Sequence, residues 1–370
     1  MVPNKIDKQL HILVEKKGSD LHLQADCPPV FRVHGELCFS DTEPISQKDI
    51  QDYLLNVLTE SQKKKFEQAQ HIDFSYTIAG LARFRVNVFE QRGGFGAAIR
   101  LIPPKIPTID ELGLPAILKE LALKPHGLVI VTGPTGSGKS TTLAALIDYI
   151  NANRKGHIIT IEDPLEFIHE NKSCVINQRE VGRHTESFAT ALKGTLREDP
   201  DVILVGEMRE LDTISNAITA AETGHLVFST LHTGDVVQAI DRMIDVFPPS
   251  QQNQVRSQLA SILQAVVSQV LLRRKDGAGR VAAFEVMVAN SAIRNLIKEN
   301  KTHLIYNVIQ TSRGEGMLLL KDSLISLFQK KLITADEALS KVSDTKILEK
   351  ELIRSQYVSF QLSTGKLEKP

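Results

Sequence analysis

The chain has no tryptophan among its 370 residues, and its three cysteines are Cys27, Cys38 and Cys174. No two of them form a CxxC pair, which argues against a disulfide framework or a structural zinc site and points to free thiols in a reducing compartment. Net charge is lacking too, because 44 Lys+Arg balance 44 Asp+Glu. A sequence-independent nucleic-acid binder would be basic, so no nucleic-acid partner is expected. No stretch approaches the roughly 18 uninterrupted apolar residues of a membrane helix. Met1–Lys17 is studded with Lys and Asp and has no apolar core of a signal peptide. These absences predict a cytoplasmic chain without direct membrane insertion, unless a partner holds it at a membrane.

What is present is ordinary for a globular protein: 42% hydrophobic and 24% charged residues. The length suggests two or three domains. Residues 5–17 pattern as an amphipathic helix stopped by Gly18, and Asp20–Gln24, Val30–Val33 and Gly35–Phe39 as short strands, with a turn at His34-Gly35. Residues 46–70 read as two helices, on which Lys63, Lys64 and Lys65 form a solvated run. Asp73–Ile78, Ala82–Glu90 and Ala97–Ile102 read as strands. Pro103, Pro104 and Pro107 can continue neither a helix nor a central strand. The expected division is therefore an α+β domain over 1–102, a linker over 103–118, an α/β domain over 119–345 with a helical C-terminal part, and a polar tail over 346–370 whose last twenty residues are expected to fray. From Gly127 apolar strands alternate with helices, the pattern of a parallel sheet covered on both faces. Beyond about residue 235 the chain reads as largely helical, with Gln251–Leu272 as one long amphipathic stretch and a strand over Val281–Val288.

Gly133, Pro134, Thr135, Gly136, Ser137, Gly138, Lys139 and Ser140 spell GxxxxGK[ST], with Thr141 following. The glycines let the backbone wrap a phosphate chain and aim N–H groups inward, and the helix that follows adds the positive end of its dipole. The motif follows the strand GLVIVT and opens the helix STTLAALIDYI, the context it requires. Lys139 is expected on the β- and γ-phosphates and Ser140 on Mg²⁺, which makes ATP and Mg²⁺ the expected ligands.

Ligands of open α/β sheets lie outside the carboxyl ends of the strands, so polar residues there are candidates. Val202–Val205 runs apolar into Gly206-Glu207, and Glu207 is expected to hold the Mg²⁺ shell or orient water. Ile158–Glu162 ends in Glu162, Asp163 and, after Pro164, Glu166; three acids in five residues repel unless a cation relieves them. Glu166 is the candidate that positions the attacking water, with Glu162 and Asp163 in support. His225 and His232 bracket a third strand at a spacing of seven, an odd number that argues against shared ligation of one metal. His232, at the carboxyl end, is placed to sense a γ-phosphate, whereas His225 could equally be structural. Arg83 and Arg85 share a strand face; with Arg100 they either form a solvated stripe or complete a nucleotide site.

GSDLHL (18–23), PPVFRVHGEL (28–37), ARFRVNVF (82–89), GPTGSGKSTTLAALIDYIN (133–151), IEDPLEFIHE (161–170), REDPDVILVGEMRE (197–210), TAAETGHLVFSTLHT (219–233) and AIRNLI (292–297) occur in that order. In order and spacing they resemble the PilT-type ATPases of type IV pilus retraction, over about residues 10–340. The resemblance implies a PAS-like N-terminal domain joined to a RecA-like ATPase domain, an α/β fold overall. It makes Glu166 the catalytic carboxylate, Glu207 the Walker B residue, and His225 and His232 the His-box pair, with Arg83, Arg85 and Arg100 supplying charge to the nucleotide. It also implies a homohexamer docked on an inner-membrane platform protein, with Arg294 serving retraction. Assembly and type II secretion ATPases usually carry an extra N-terminal domain and a tetracysteine motif after the His box. Little chain precedes GSDLHL and no cysteine follows Cys174, which favours retraction. A non-hydrolysing nucleotide-dependent scaffold and a nucleic-acid translocase are the alternatives from other classes. The polar stretch after about 345 extends past the family's usual end.

Overall fold

A computed structural model describes residues 5–33, 35–102, 105–277, 279–342 and 345–364. His34 of the expected turn and Pro103 and Pro104 of the expected linker lie outside them. The chain folds as two compact units: one reaches Ile106 and also includes Pro164–Ile168, and the other comprises Pro107–Asp163 and the chain from His169 on.

The first unit is a six-stranded antiparallel sheet of β1 (Asp20–Gln24), β2 (Val30–Val33), β3 (Glu36–Phe39), β4 (His71–Ile78), β5 (Ala82–Gln91) and β6 (Gly94–Ile102), in the order β3-β2-β1-β6-β5-β4. Three helices accompany it: α1 (Lys5–Glu15), α2 (Gln47–Leu55) and α3 (Glu60–Ala69). Ile6, Leu10 and Leu13 recur at helical spacing on α1 and join Phe84, Val86 and Val88 of β5 in one core. The alternation on β5 leaves Arg83 and Arg85 on the other face, as their spacing predicts. A reciprocal capping box between Thr59 and Gln62 starts α3.

The second unit holds a seven-stranded sheet of β7 (Gly127–Thr132), β8 (Gly156–Glu162), β9 (Cys174–Glu180), β10 (Val202–Val205), β11 (Leu226–Thr230), β12 (Leu263–Arg273) and β13 (Arg280–Val288). Its order is β13-β12-β7-β11-β10-β8-β9; all neighbours pair parallel except β13 with β12. The helices are α4 (Ile117–Ala122), α5 (Lys139–Asn153), α6 (Phe188–Thr195), α7 (Leu211–Glu222), α8 (Val236–Asp245), α9 (Pro249–Ile262), α10 (Ser291–Lys298), α11 (Ile305–Thr311), α12 (Leu320–Gln329), α13 (Ala335–Leu339) and α14 (Thr345–Thr364). β7, β10 and β11 are buried along their whole length, because separate apolar clusters cover the two faces of the sheet.

Two expectations are corrected. The stretch Gln251–Leu272 is not one helix: α9 ends at Ile262 and Leu263 turns extended into β12. β12 lies between β7 and β13, where valines at 266, 267 and 270 fit a doubly buried strand; Ser268 and Gln269 interrupt the apolar run and mimic a helical period. The second correction concerns the tail. Thr345–Thr364 is helical, and Leu348 and Leu352, four apart, are buried with Leu272, Ala283, Leu324 and Ile333.

Candidate nucleotide site

The cradle lies between the end of β7 at Thr132 and the start of α5 at Lys139. Gly133 and Gly138 have φ of 141° and 89°, which L side chains rarely adopt. A Cβ on Gly133 would come within 2.2 Å of the Gln269 carbonyl oxygen and 2.8 Å of Ser137 Oγ. Gly138 provides the N-cap of α5 with no side-chain cap, so the amides of the first turn are left for a ligand. Pro134, Thr135 and Gly136 form the exposed lip, while Ser140 and Thr141 lie half-buried in the first turn. Lys139 is only 8% exposed. Its Nζ donates to the carbonyls of Gly133 at 2.8 Å and Pro134 at 3.1 Å. Ser137 Oγ is buried with no hydrogen-bond partner among the described residues. Glycine-lined backbone, uncapped amides, an ammonium and an orphaned hydroxyl fit a polyphosphate.

β7, β11, β10 and β8 are consecutive and parallel, so their carboxyl ends share one edge of the sheet. There His232 links two neighbours. Its Nδ1 lies 3.5 Å from Lys139 Nζ, at the outer limit of a hydrogen bond, and its Nε2 lies 3.2 Å from Glu207 Oε1. An ammonium can only donate, so Nδ1 is the lone-pair nitrogen and Nε2 carries the proton that faces Glu207. Arg209 Nε hydrogen-bonds the same Glu207 oxygen. That bond, with the charge of Glu207 and then of Asp163, holds the Arg209 guanidinium above its usual pKa.

Backbone pins fix this geometry. Thr132 Oγ1 bonds to the Thr233 hydroxyl at 2.7 Å and accepts from the Thr233 N–H at 3.0 Å, tying the His232 loop to the cradle strand. Thr230 Oγ1 donates to the Gly206 carbonyl at 2.6 Å and so sets the turn that presents Glu207. Gln269 of β12 clamps the cradle itself: its Nε2 donates to the Ser137 carbonyl at 2.6 Å and its Oε1 accepts from Thr142 Oγ1 at 2.7 Å. Gln269→Leu leaves both buried partners unmatched, and about a tenfold loss of nucleotide affinity is expected, read by isothermal titration against wild type.

The model of the family described as Type II/IV secretion system protein matches residues 1–338. The chain belongs to this family. It is 50% identical over 336 residues to the type IV pilus retraction ATPase PilT of Pseudomonas aeruginosa, covering 91% of this chain and 97% of the relative. It is 49% identical over 314 residues to a twitching motility protein of Neisseria gonorrhoeae, covering 85% of this chain and 84% of the relative. A crystal structure of the pilus retraction motor PilT with bound ADP superposes with a TM-score of 0.87 at 47% identity, covering 94% of this chain and 99% of that one. The resemblance drawn from the motifs is borne out by these relatives, and family membership extends to the α/β secretion-ATPase fold.

The remaining candidates are distributed as follows. Glu162 ends β8, on the same edge as Glu207, and accepts from Thr160 Oγ1 at 2.8 Å; Asp163 is exposed beside it. Glu166 is half-buried between buried Leu165 and Phe167, in the segment that belongs to the first unit. Within that unit Arg83 donates to Ser75 Oγ at 2.7 Å, Arg85 lies 3.7 Å from Asp73, and Arg100 donates to Asp20 at 2.9 Å. His225 is not brought to the cradle: it stands before the amino end of β11, on the opposite edge, and its Nδ1 donates to the Ala220 carbonyl at 2.8 Å. Arg294 caps the end of α9 through the carbonyls of Ala260 and Ser261. Gln269, Thr132 and Thr233 carry no motif signal that distinguishes them from ordinary strand and loop residues, and sequence reasoning missed them as functional supports.

His169, next to the Glu166 segment, is 8% exposed. Burial pushes its imidazole down to about 4, with Asp148 opposing and Lys172 adding to the shift. Because the folded pKa lies below the free value, the unfolded chain takes up the proton first. The resulting stability is complete above about pH 6.5 and is lost as pH falls toward 4, up to about 3 kcal/mol. Thermal melts at pH 7 and pH 5 should therefore differ less in His169→Phe than in wild type.

Proposed function

We propose that the chain hydrolyses ATP and powers type IV pilus retraction, working as a cytoplasmic homohexamer on an inner-membrane platform protein at the pilus base. The observation that carries this reading is the Lys139–His232–Glu207 array beside a glycine cradle, in a chain half-identical to a retraction ATPase over nearly its whole length. The cradle binds the phosphates, Lys139 neutralises the terminal ones, and His232 relays the state of the γ-phosphate to Glu207. Ser140 and Glu207 would hold Mg²⁺, which when bound spreads the charge of the β- and γ-phosphates. Glu166 orients the attacking water, supported by Glu162 and Asp163. The first unit is taken as PAS-like, with Arg83, Arg85 and Arg100 as its nucleotide-facing charges, as the motif resemblance implies. His225 holds the amino end of the His-box strand.

Deleting the gene and imaging the cell surface tests the direction of movement. Surplus pili that do not retract are expected, restored to normal by the wild-type chain and not by Glu166→Ala. Loss of pili would show an assembly motor instead. Rescue by Glu166→Ala would remove Glu166 from the chemistry.

A further inference from the structure

The chain is irregular between the end of β8 at Glu162 and the start of β9 at Cys174, and Glu166 lies in this stretch. Irregular backbone has no ladder to match its N–H and C=O groups, so side chains or water must do so. Asn151, in the last turn of α5, does much of this and is completely buried. Its Nδ2 donates to the Glu170 carbonyl at 2.7 Å, and its Oδ1 accepts from the Lys172 N–H at 3.1 Å and the Cys174 N–H at 3.3 Å. Its own carbonyl accepts from the Ser173 N–H at 2.9 Å. A short side chain with both an NH₂ and an oxygen bearing two lone pairs can match all three groups; an apolar one of the same size matches none. Asp148, one turn earlier on α5, adds a 2.7 Å ion pair with Lys172. Gln178 of β9 accepts from the His169 N–H at 2.8 Å. The His169 ring adds nothing through Nδ1, which is buried with no hydrogen-bond partner among the described residues.

The other end is also fixed. The Glu162 carbonyl accepts from the Val181 N–H at 2.9 Å, and the Ile161 carbonyl from the Gly206 N–H at 2.7 Å. Residues 163–168 therefore form an arch whose two ends are both anchored in the second unit. Glu166 stands four residues from Glu162 and four from Glu170, so the chain allows it no more than about 14 Å from either. α5 joins the second anchor to the cradle. Lys139, Ser140 and Thr141 form its first turn, and Asn151 follows about 18 Å further along the helix.

We propose that Asn151 is a positioning residue for hydrolysis: it ties the arch that carries Glu166 to the helix that holds the phosphates, and so sets where the acid stands when water attacks. This rests on the reading of Glu166 as the group that orients the water. Loss of the Asn151 amide should leave the cradle whole, because the cradle lies at the other end of α5, and should free one foot of the arch. The cost then falls on the chemical step rather than on binding.

The full chain tests this as wild type, Asn151→Leu, Glu166→Ala and the double variant. Steady-state kinetics and calorimetry with ADP are the readouts, with single-turnover phosphate release for the slow variants. Asn151→Leu should lower kcat about tenfold, with KM for ATP and Kd for ADP within about twofold of wild type. In the Glu166→Ala background the same substitution should cost less than about twofold, because no acid is left to place. If Asn151→Leu does not fold, Gln178→Met, which releases only the other foot bond at the His169 N–H, is put through the same comparisons; its kcat should fall about threefold. The proposal is overturned if the variant tested keeps the wild-type kcat, or if its cost persists undiminished in the Glu166→Ala background. It is also overturned if Kd for ADP rises in step with the fall in turnover, the mark of a generally loosened domain. Wild-type turnover in Glu166→Ala alone would defeat the reading of Glu166, and this inference with it.

Discussion

Lys139→Ala is expected to abolish measurable ATP turnover, a loss of at least about 10³-fold, and to weaken nucleotide binding. Its ammonium is the buried cation of the cradle, held by two loop carbonyls that aim it across the glycine turn. Removing it takes away the charge that meets the β- and γ-phosphates and also the partner of His232 Nδ1. A steady-state phosphate-release assay with saturating Mg²⁺ and ATP checks the first effect, and calorimetric titration with ADP checks the second. Turnover within tenfold of wild type would mean that the phosphates bind elsewhere.

Glu207→Gln should separate binding from chemistry. The side chain keeps its size, and its contacts are with His232 and Arg209 rather than with the cradle loop, so ATP affinity should stay within a few-fold of wild type. Turnover should fall by about 10²–10³-fold. The reason is electrostatic. The carboxylate accepts from His232 Nε2 and from Arg209, so it sets both the imidazole tautomer and the orientation of an exposed cation at the mouth of the site. An amide can satisfy only part of that arrangement and carries no charge toward a metal. Equal losses in affinity and turnover would instead give Glu207 a purely structural role.

The parts of this site that could be read from sequence share a physical cause. Lys139, Glu207 and His232 each follow an apolar strand that is buried on both faces, so a polar residue at such a strand's end stands out against its neighbours. Glycines with positive φ mark the turn that only they can make. The first unit was equally legible, since β1 and β2 have the expected bounds and the alternation on β5 separates core from surface.

What was not legible depends on long-range pairing. β12 is a central strand because β7 and β13 flank it, and nothing local to Ser268 and Gln269 announces that. β9 ends the sheet beside β8, and its sequence CVINQRE is too polar to read as a strand until the partner is known. His225 shares a motif with His232 yet stands at the other end of β11, so its chemistry follows from strand direction rather than from spacing. Glu285 looks like any strand glutamate until the first amide of α8, 49 positions away in the chain at Val236, is seen to donate to it.

Turnover depends on a terminal phosphate entering the array formed by Lys139, His232 and Glu207. A crystal structure with Mg²⁺ and a non-hydrolysable ATP analogue tests it most directly. The γ-phosphate should lie within hydrogen-bond reach of Lys139 Nζ and His232, with Glu207 facing the metal. An analogue bound with His232 and Glu207 turned away from its γ-phosphate would contradict it.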